Sequence, residues 1–208
     1  MYVPKHFEEN RPNEIIRIIK NFPLATLVSN SSNSLMANHL PLLLNKTSNN
    51  KFELVGHIAK ANNIYNEVSN NDEVMVIFRS EDAYVSPNWY PSRTKNIEHV
   101  PTWNYQAVHL YGNIAFINDK KIILNSLKEL TRVFEKKKIN KNDWNLSKVS
   151  NNFMSSMLTE IVGIKIVITK QVAKSKLSQN RKKEDRINVN KEIKNSGFNF
   201  LSNSMNKL

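Results

Sequence analysis

The sequence predicts a mainly β protein: a small antiparallel barrel with flanking helices and a helical C-terminal part. Three observations carry that expectation. Six or seven short apolar or alternating segments follow one another with few helices between them. Strand-like and helix-like segments do not alternate regularly, which argues against a doubly wound parallel sheet. The four glycines, Gly56, Gly112, Gly163 and Gly197, form neither a G-x-G-x-x-G run nor a P-loop. A nucleotide therefore has to be held by side chains and strand-end amides.

The elements follow in order. Asn13 to Asn21 reads as a helix, with Pro12 suited to its first position and Ile15, Ile18, Ile19 and Phe22 on one face. Pro23 stops it. Leu24 to Ser29 is a short buried strand, and Leu35 to Leu44 a second, joined to it by a polar Asn/Ser turn as a hairpin. Pro41 removes a ladder donor and places that strand at an edge or a bulge. Phe52 to Ile58 is a third strand, followed by a short helix in AKANNIYNEVS. Glu73 to Phe78 and Ala83 to Ser86 are two more strands, and Thr102 to Ile117 is a long alternating one with Gly112 as a bend. Asn118 or Asp119 caps a helix running to about Lys138, with Ile123, Leu127, Leu130 and Phe134 on its buried side. A helix over Ser147 to Leu158 and a final strand over Thr159 to Lys170 complete a barrel domain of residues 1–170. Residues 171–208 form a basic extension.

Composition narrows the function. The chain has 208 residues and no cysteine, which excludes disulfides, thiolate-bound metals and cysteine catalysis and suits a reducing cytoplasm. No run approaches the ~20 apolar residues of a spanning helix, and the N-terminus lacks a signal-peptide core, so no membrane role is expected. The net charge is +12, and the 44 residues from Lys165 hold 11 Lys and Arg against 3 Asp and Glu. Two thirds of the excess thus sits in one fifth of the chain, where it suits phosphates, DNA or another acidic surface.

The stretch Asp82 to Gly112, DAYVSPNWYPSRTKNIEHVPTWNYQAVHLYG, holds Tyr84, Trp89, Tyr90, Trp103, Tyr105 and Tyr111, stiffened by three prolines. Flat, rigid side chains beside Arg93 and Lys95 form a wall for a planar anionic ligand, or else plug the end of a barrel. The five histidines are too widely spaced for a metal motif, and no Ser-His-Asp order stands out. No catalytic residue is singled out.

The blocks MYVPKHFEE, ATLVS, ANHLPLLL, GHIAKAN, DAYVSPNWYPS, VPTWNYQAVHLYG and KLSQNR resemble the PaiB family, the FMN-binding negative transcriptional regulators. They run from residue 1 to about residue 186, and SPNWYP together with VPTWNYQAVH is highly specific. The resemblance implies the FMN-binding split-barrel fold shared with pyridoxamine-phosphate oxidases and flavin reductases, FMN as cofactor, and a homodimer with flavin near the subunit interface. It also implies site residues. Lys60 matches the position of a phosphate-binding lysine, with His57 and Ala59 lining the same turn. Ala37, Asn38, His39 and Leu40 match the strand beside the flavin ring. Gln106 matches the polar position of a flavin-contacting strand, and Trp103 and Asn104 follow from the PaiB motif itself. The basic residue that oxidases carry at the start of the ANHLPLLL strand is absent, which argues against oxidase activity. On this reading the segment Ser92 to Val100 is a mobile basic lid.

Three functions follow. The first is a cytoplasmic FMN-binding regulator that lowers transcription, with DNA contacted through the basic C-terminal region. The second is an FMN-dependent oxidoreductase of the pyridoxamine-phosphate-oxidase or flavin-reductase type. The third is a haem-handling split-barrel protein with His39, His57 or His109 as axial ligand.

Overall fold

The computed structural model describes residues 1–31, 34–49, 51–95, 97–136 and 144–208. Its strands are β1 (Leu24–Asn30), β2 (Leu35–Pro41), β3 (Leu43–Lys46), β4 (Phe52–Ala59), β5 (Glu73–Val85), β6 (Thr102–Ile117) and β7 (Ile161–Lys176). They form an antiparallel sheet in the order β2-β1-β5-β6-β7-β4-β3. The helices among the described residues are α1 (Pro12–Asn21), α2 (Ile64–Glu67), α3 (Lys120–Glu135), α4 (Asn151–Glu160), α5 (Lys183–Asn195) and α6 (Asn199–Met205). This is the mainly β, antiparallel class that the sequence predicts. The chain divides into two compact units. One comprises Met1–Phe22, Ile77–His109 and Gln171–Leu208, the other Pro23–Val76 and Leu110–Lys170. The long strands β5, β6 and β7 each continue from one unit into the other.

In the unit built from Pro23–Val76 and Leu110–Lys170, β1 and β2 form the expected hairpin, in register from Leu24 opposite Pro41 to Asn30 opposite Leu35. The expected single strand over Leu35 to Leu44 is broken at Leu42. Its amide donates to the Pro23 carbonyl at 2.9 Å and its side chain is buried, so the chain turns there into β3, which pairs with β4. Pro41 ends β2, where its missing N–H disrupts no ladder. The turn lies against Gly56. A Cβ at that position would stand 2.7 Å from Leu42 Cδ2 and 3.0 Å from the Pro41 carbonyl oxygen, so only glycine fits without displacement. Along β4, Glu53 to Ala59 pair with Val167 to Ile161 of β7.

Asp119 caps α3 as expected: its Oδ1 accepts the Lys121 and Ile122 amides at 2.8 and 3.2 Å. Of the predicted buried face only Ile123 is fully enclosed, while Leu127, Leu130 and Phe134 are half-buried. The predicted end at Lys138 falls outside the described residues. The helix predicted over Ser147 to Leu158 begins later, at Asn151, where Ser150 Oγ accepts the Phe153 amide at 3.3 Å.

In the unit built from Met1–Phe22, Ile77–His109 and Gln171–Leu208, α1 opens at Pro12 and buries Ile15, Ile18 and Ile19. Glu14 binds Arg17 at 2.8 Å and Lys207 at 2.9 Å, and the Arg17 guanidinium stacks 3.8 Å from the Phe200 ring centroid. The two strands expected near Glu73 and Ala83 are one continuous β5, and β7 runs six residues past its expected end, to Lys176. The C-terminal segment then returns through α5 and α6. Leu177, Val189, Ile193, Leu201 and Met205 pack with Ala83, Val85 and Tyr90 in one core cluster, with Trp89 and Phe198 against it.

The aromatic stretch therefore splits in two. Tyr90 is core, 1% exposed, while Tyr84 and Trp103 are about half exposed and meet edge to face at 5.8 Å. The segment after Tyr90 is not a free flap. Ser92 is fully buried, its amide donates to Asp185 Oδ1 at 3.0 Å and its hydroxyl to Oδ2 at 2.7 Å. With its one hydrogen so used, Ser92 Oγ accepts from His99 Nε2 at 2.7 Å. Lys95 pairs with Glu184 at 3.0 Å, and the Trp89 carbonyl accepts from Asn188 at 2.8 Å. The predicted mobile lid is corrected to a segment fastened to α5, because Asp185 supplies both acceptors that Ser92 needs.

Two outcomes follow from this packing. A methyl group at position 112 would lie 2.3 Å from the Val167 carbonyl oxygen and 2.9 Å from its carbon, both backbone atoms that cannot turn aside. Gly112→Ala is expected to destabilise by about 3 kcal/mol or more, measured by urea unfolding. The second outcome concerns acid. Burial alone would raise the Asp185 carboxyl, but the two Ser92 hydrogen bonds outweigh it and hold it below its ordinary value. Glu9 is likewise held low, burial being outweighed by Arg11 and Ser175, and Glu14 by Arg17 and Lys207. A carboxylate depressed on folding stabilises above its unfolded pKa and loses that contribution as pH falls through the folded one. The thermal midpoint should thus fall below about pH 4.5, the ordinary carboxylate range, and fall less steeply in Asp185→Asn.

Candidate functional site

Two groups of candidate residues lie in different units. In the first group, Ala37, Asn38, His39 and Leu40 lie on β2 at one end of the sheet order. Strand alternation exposes Ala37 and His39, half-buries Asn38 and buries Leu40. The Asn38 side-chain oxygen accepts from Asn62 at 2.8 Å, which ties β2 to the turn after β4. On that turn Ala59 and Lys60 are exposed. Asn38, Ala59 and Lys60 are thereby gathered around one turn.

The local backbone explains the turn. β4 ends at Ala59, the Lys60 amide donates to the Glu160 carbonyl at 2.8 Å, and the Asn62 amide to the Ala59 carbonyl at 3.0 Å. The Asn62 side chain accepts the Ile64 amide at 3.1 Å. The amides of Ala61 and Asn63 have no partner among the described residues. Lys60 is therefore in an open turn, and α2 starts only at Ile64. Among the described residues Lys60 forms no ion pair. An exposed, unpaired ammonium beside two free amides fits a phosphate.

His57 is half-buried and sits opposite Gly163 in the β4–β7 register. Its Nδ1 is buried without a partner, and burial lowers its pKa by disfavouring the charged ring.

In the second group, on β6, Trp103 is exposed but Asn104 and Gln106 are fully buried. The Asn104 side chain exchanges hydrogen bonds with Ser178 Oγ at 2.9 and 3.1 Å. Gln106 Nε2 donates to Ser175 Oγ at 2.8 Å, and Ser175 Oγ donates to Glu9 at 2.8 Å. Glu9 is 3% exposed and is clasped by Arg11 at 2.7 Å. Asn104 and Gln106 thus belong to an interior polar network that fixes β7 against β6 and against the N-terminal segment. Only Gln106 Oε1 in that network is left without a partner. His109, at the end of this run, is half-buried with its pKa lowered by burial.

The sequence reading missed Ser92, Asp185, Ser175 and Glu9. The blocks MYVPKHFEE and DAYVSPNWYPS end on Glu9 and Ser92, but nothing local in them shows the partners Ser175 and Asp185. Among the described residues there is no cluster of three or more His, Cys, Asp or Glu that would hold a metal ion, and no helix is long and apolar enough to cross a membrane.

Comparison with known proteins identifies the family. The family described as "Putative FMN-binding domain" matches residues 1–170. The "Protease synthase and sporulation protein PAI 2" of Bacillus subtilis (strain 168) is 35% identical over 195 residues, covering 94% of this chain and 90% of that protein. The Saccharomyces cerevisiae protein YKL070W is 33% identical over 157 residues, covering 66% of this chain and 92% of that protein. Among solved structures, the flavocytochrome Anf3 from Azotobacter vinelandii superposes with a TM-score of 0.60 at 11% identity, covering 89% of this chain and 78% of that one. The FAD and heme binding protein of Mycobacterium smegmatis gives 0.59 at 14% identity, over 86% and 78%. These two share the fold, the split barrel of flavoproteins. The chain belongs to the FMN-binding family of which the Bacillus PAI 2 protein is a relative, and its cofactor is FMN.

Proposed function

We propose that the protein is an FMN-loaded negative regulator of transcription, acting in the cytoplasm as a homodimer and reaching DNA phosphates through its basic C-terminal segment. The observation that carries this reading is the similarity to the PAI 2 protein, whose name concerns protease synthesis and sporulation, across nearly the whole of both chains. The surface of the C-terminal segment supports it. Lys182 and Lys183 at the start of α5 and Lys191 and Lys194 further along it are exposed, and among the described residues none forms an ion pair. Such charges contact phosphates without reading sequence. Support for pairing comes from β2, which stands at one end of the sheet order, where a strand edge can take a second copy. On this reading Lys60 and the Ala61 and Asn63 amides hold the FMN phosphate, and Ala37 and His39 of β2 lie along the ring. FMN supplies a redox-active ring, while the chain's own residues bind and orient it.

The experiment for regulation is binding of the FMN-loaded protein to genomic DNA fragments by fluorescence anisotropy, over a salt series. Deleting residues after Lys170 is unsuitable, since it removes five members of the core cluster, each worth about 1.5–3 kcal/mol of burial. Replacing Lys182, Lys183, Lys191 and Lys194 by Gln leaves the core intact. The fourfold variant should lose affinity on all fragments and flatten the slope of log K against log salt by up to about 3.6. A wild type that prefers no fragment and releases all of them at about 0.2 M salt would falsify sequence-specific repression.

The phosphate role of Lys60 has its own measurement. Lys60→Ala should weaken FMN by about 1.5–3 kcal/mol, the worth of a hydrogen bond to a charged group, and riboflavin hardly at all. Fluorescence-quenching titrations with both flavins separate the two. Equal losses would assign Lys60 to support of the turn.

A further inference from the structure

The strand end and turn that carry KLSQNR hold three cations that form no ion pair among the described residues. Lys174 is only 8% exposed, yet the acceptor of its ammonium is the Tyr2 carbonyl at 3.3 Å, and otherwise it faces the rings of Tyr105 and Tyr2 at 5.3 and 5.9 Å. Lys176, half-buried, donates to Thr102 Oγ1 at 2.5 Å and stands 6.0 Å from the Phe7 ring centroid. The Arg181 guanidinium lies 5.0 Å over the buried Tyr90 ring. Among the described residues none of the three forms an ion pair. The buried carboxylates of this unit are taken: Glu9 by Arg11 and Ser175, Glu14 by Arg17 and Lys207, Asp185 by Ser92.

Burying a cation without a counter-charge is costly, and ring faces offset only part of the cost. Burial, and after it the like charges of Lys174 and Arg181, hold the Lys176 ammonium below its ordinary pKa against the pull of Tyr105. A fold that keeps three such groups together without an ion pair has room in its electrostatics for an anion brought from outside. Flat surface adjoins them. Trp103 shares a strand face with Tyr105 by alternation along β6, is 50% exposed, and stands edge to face with Tyr84, itself 47% exposed. The Tyr2 ring is 82% exposed.

We propose that Lys174, Lys176 and Arg181 form a binding site, additional to FMN, for a small planar aromatic anion: a phosphate or carboxylate carried on a ring. The cations take the charged group and the rings of Tyr105 and Trp103 take the flat face. The site lies wholly within one unit and does not depend on the Lys60 turn.

The test is calorimetric titration of the FMN-loaded protein at constant ionic strength with phenyl phosphate, phenol and inorganic phosphate. Phenyl phosphate should saturate with a Kd at least about tenfold below that of inorganic phosphate, and phenol should give no binding heat. Lys176→Gln and Arg181→Gln should each weaken phenyl phosphate about tenfold or more while FMN affinity stays within about twofold. The wild-type comparison stands even if one variant fails to fold. Absence of saturable phenyl phosphate binding up to about 10 mM overturns the site. Equal affinities for phenyl and inorganic phosphate overturn the role of the rings. Loss of FMN in step with phenyl phosphate overturns the second ligand and places the flavin's own phosphate on the cluster.

Discussion

The burial of Leu177, Val189, Ile193, Leu201 and Met205 against Ala83, Val85 and Tyr90 is the constraint on which half of this protein rests. These side chains come from segments almost a hundred residues apart. The polar contacts of the same unit depend on that layer. Asp185 reaches Ser92 only because α5 is held there by Val189 and Ile193, and a buried carboxylate is tolerable only because Ser92 satisfies both of its oxygens. The interior network from Arg11 through Glu9 and Ser175 to Gln106 is a second fastening of the same kind, with charge at its solvent end and a neutral amide at its inner end.

Most of the fold was legible in the sequence because its signals are local. Pro12 and Pro23 bracket α1, the hairpin of β1 and β2 follows from two apolar runs and a polar turn, and Asp119 announces α3. What was not legible is non-local. The break at Leu42 is dictated by the Pro23 carbonyl and by Gly56, neither of which is visible from the apolar run LPLLL. β5 reads as two strands because Arg79 to Asp82 is polar, although Arg79 and Asp82 pair with each other on its outer side. The candidate site was legible to the same degree. Lys60 and β2 stand out because an exposed turn keeps its character whatever surrounds it. Asn104 and Gln106 look like ligand-facing residues in isolation, and only the positions of Ser178 and Ser175 show that they are spent inside.

The functional picture combines a flavoprotein scaffold with a surface that is basic in one segment. The family match assigns the cofactor, and the open Lys60 turn fits the phosphate end of that cofactor. The positive excess of the C-terminal residues is not one feature but two. Lys182, Lys183, Lys191 and Lys194 face solvent, while Lys174, Lys176 and Arg181 are drawn in among aromatic rings. A charge count over the tail merges these, although one set lies in water and the other against aromatic rings.

The division of the chain into interleaved segments also sets an order of assembly on the ribosome. The unit made of Pro23–Val76 and Leu110–Lys170 has all of its residues once synthesis reaches Lys170. The other needs both Met1–Phe22 and Gln171–Leu208, so α1 joins its unit only after that later segment has been made. Until then Glu14 and Arg17 of α1 lack Lys207 and Phe200, the partners they have in the folded chain.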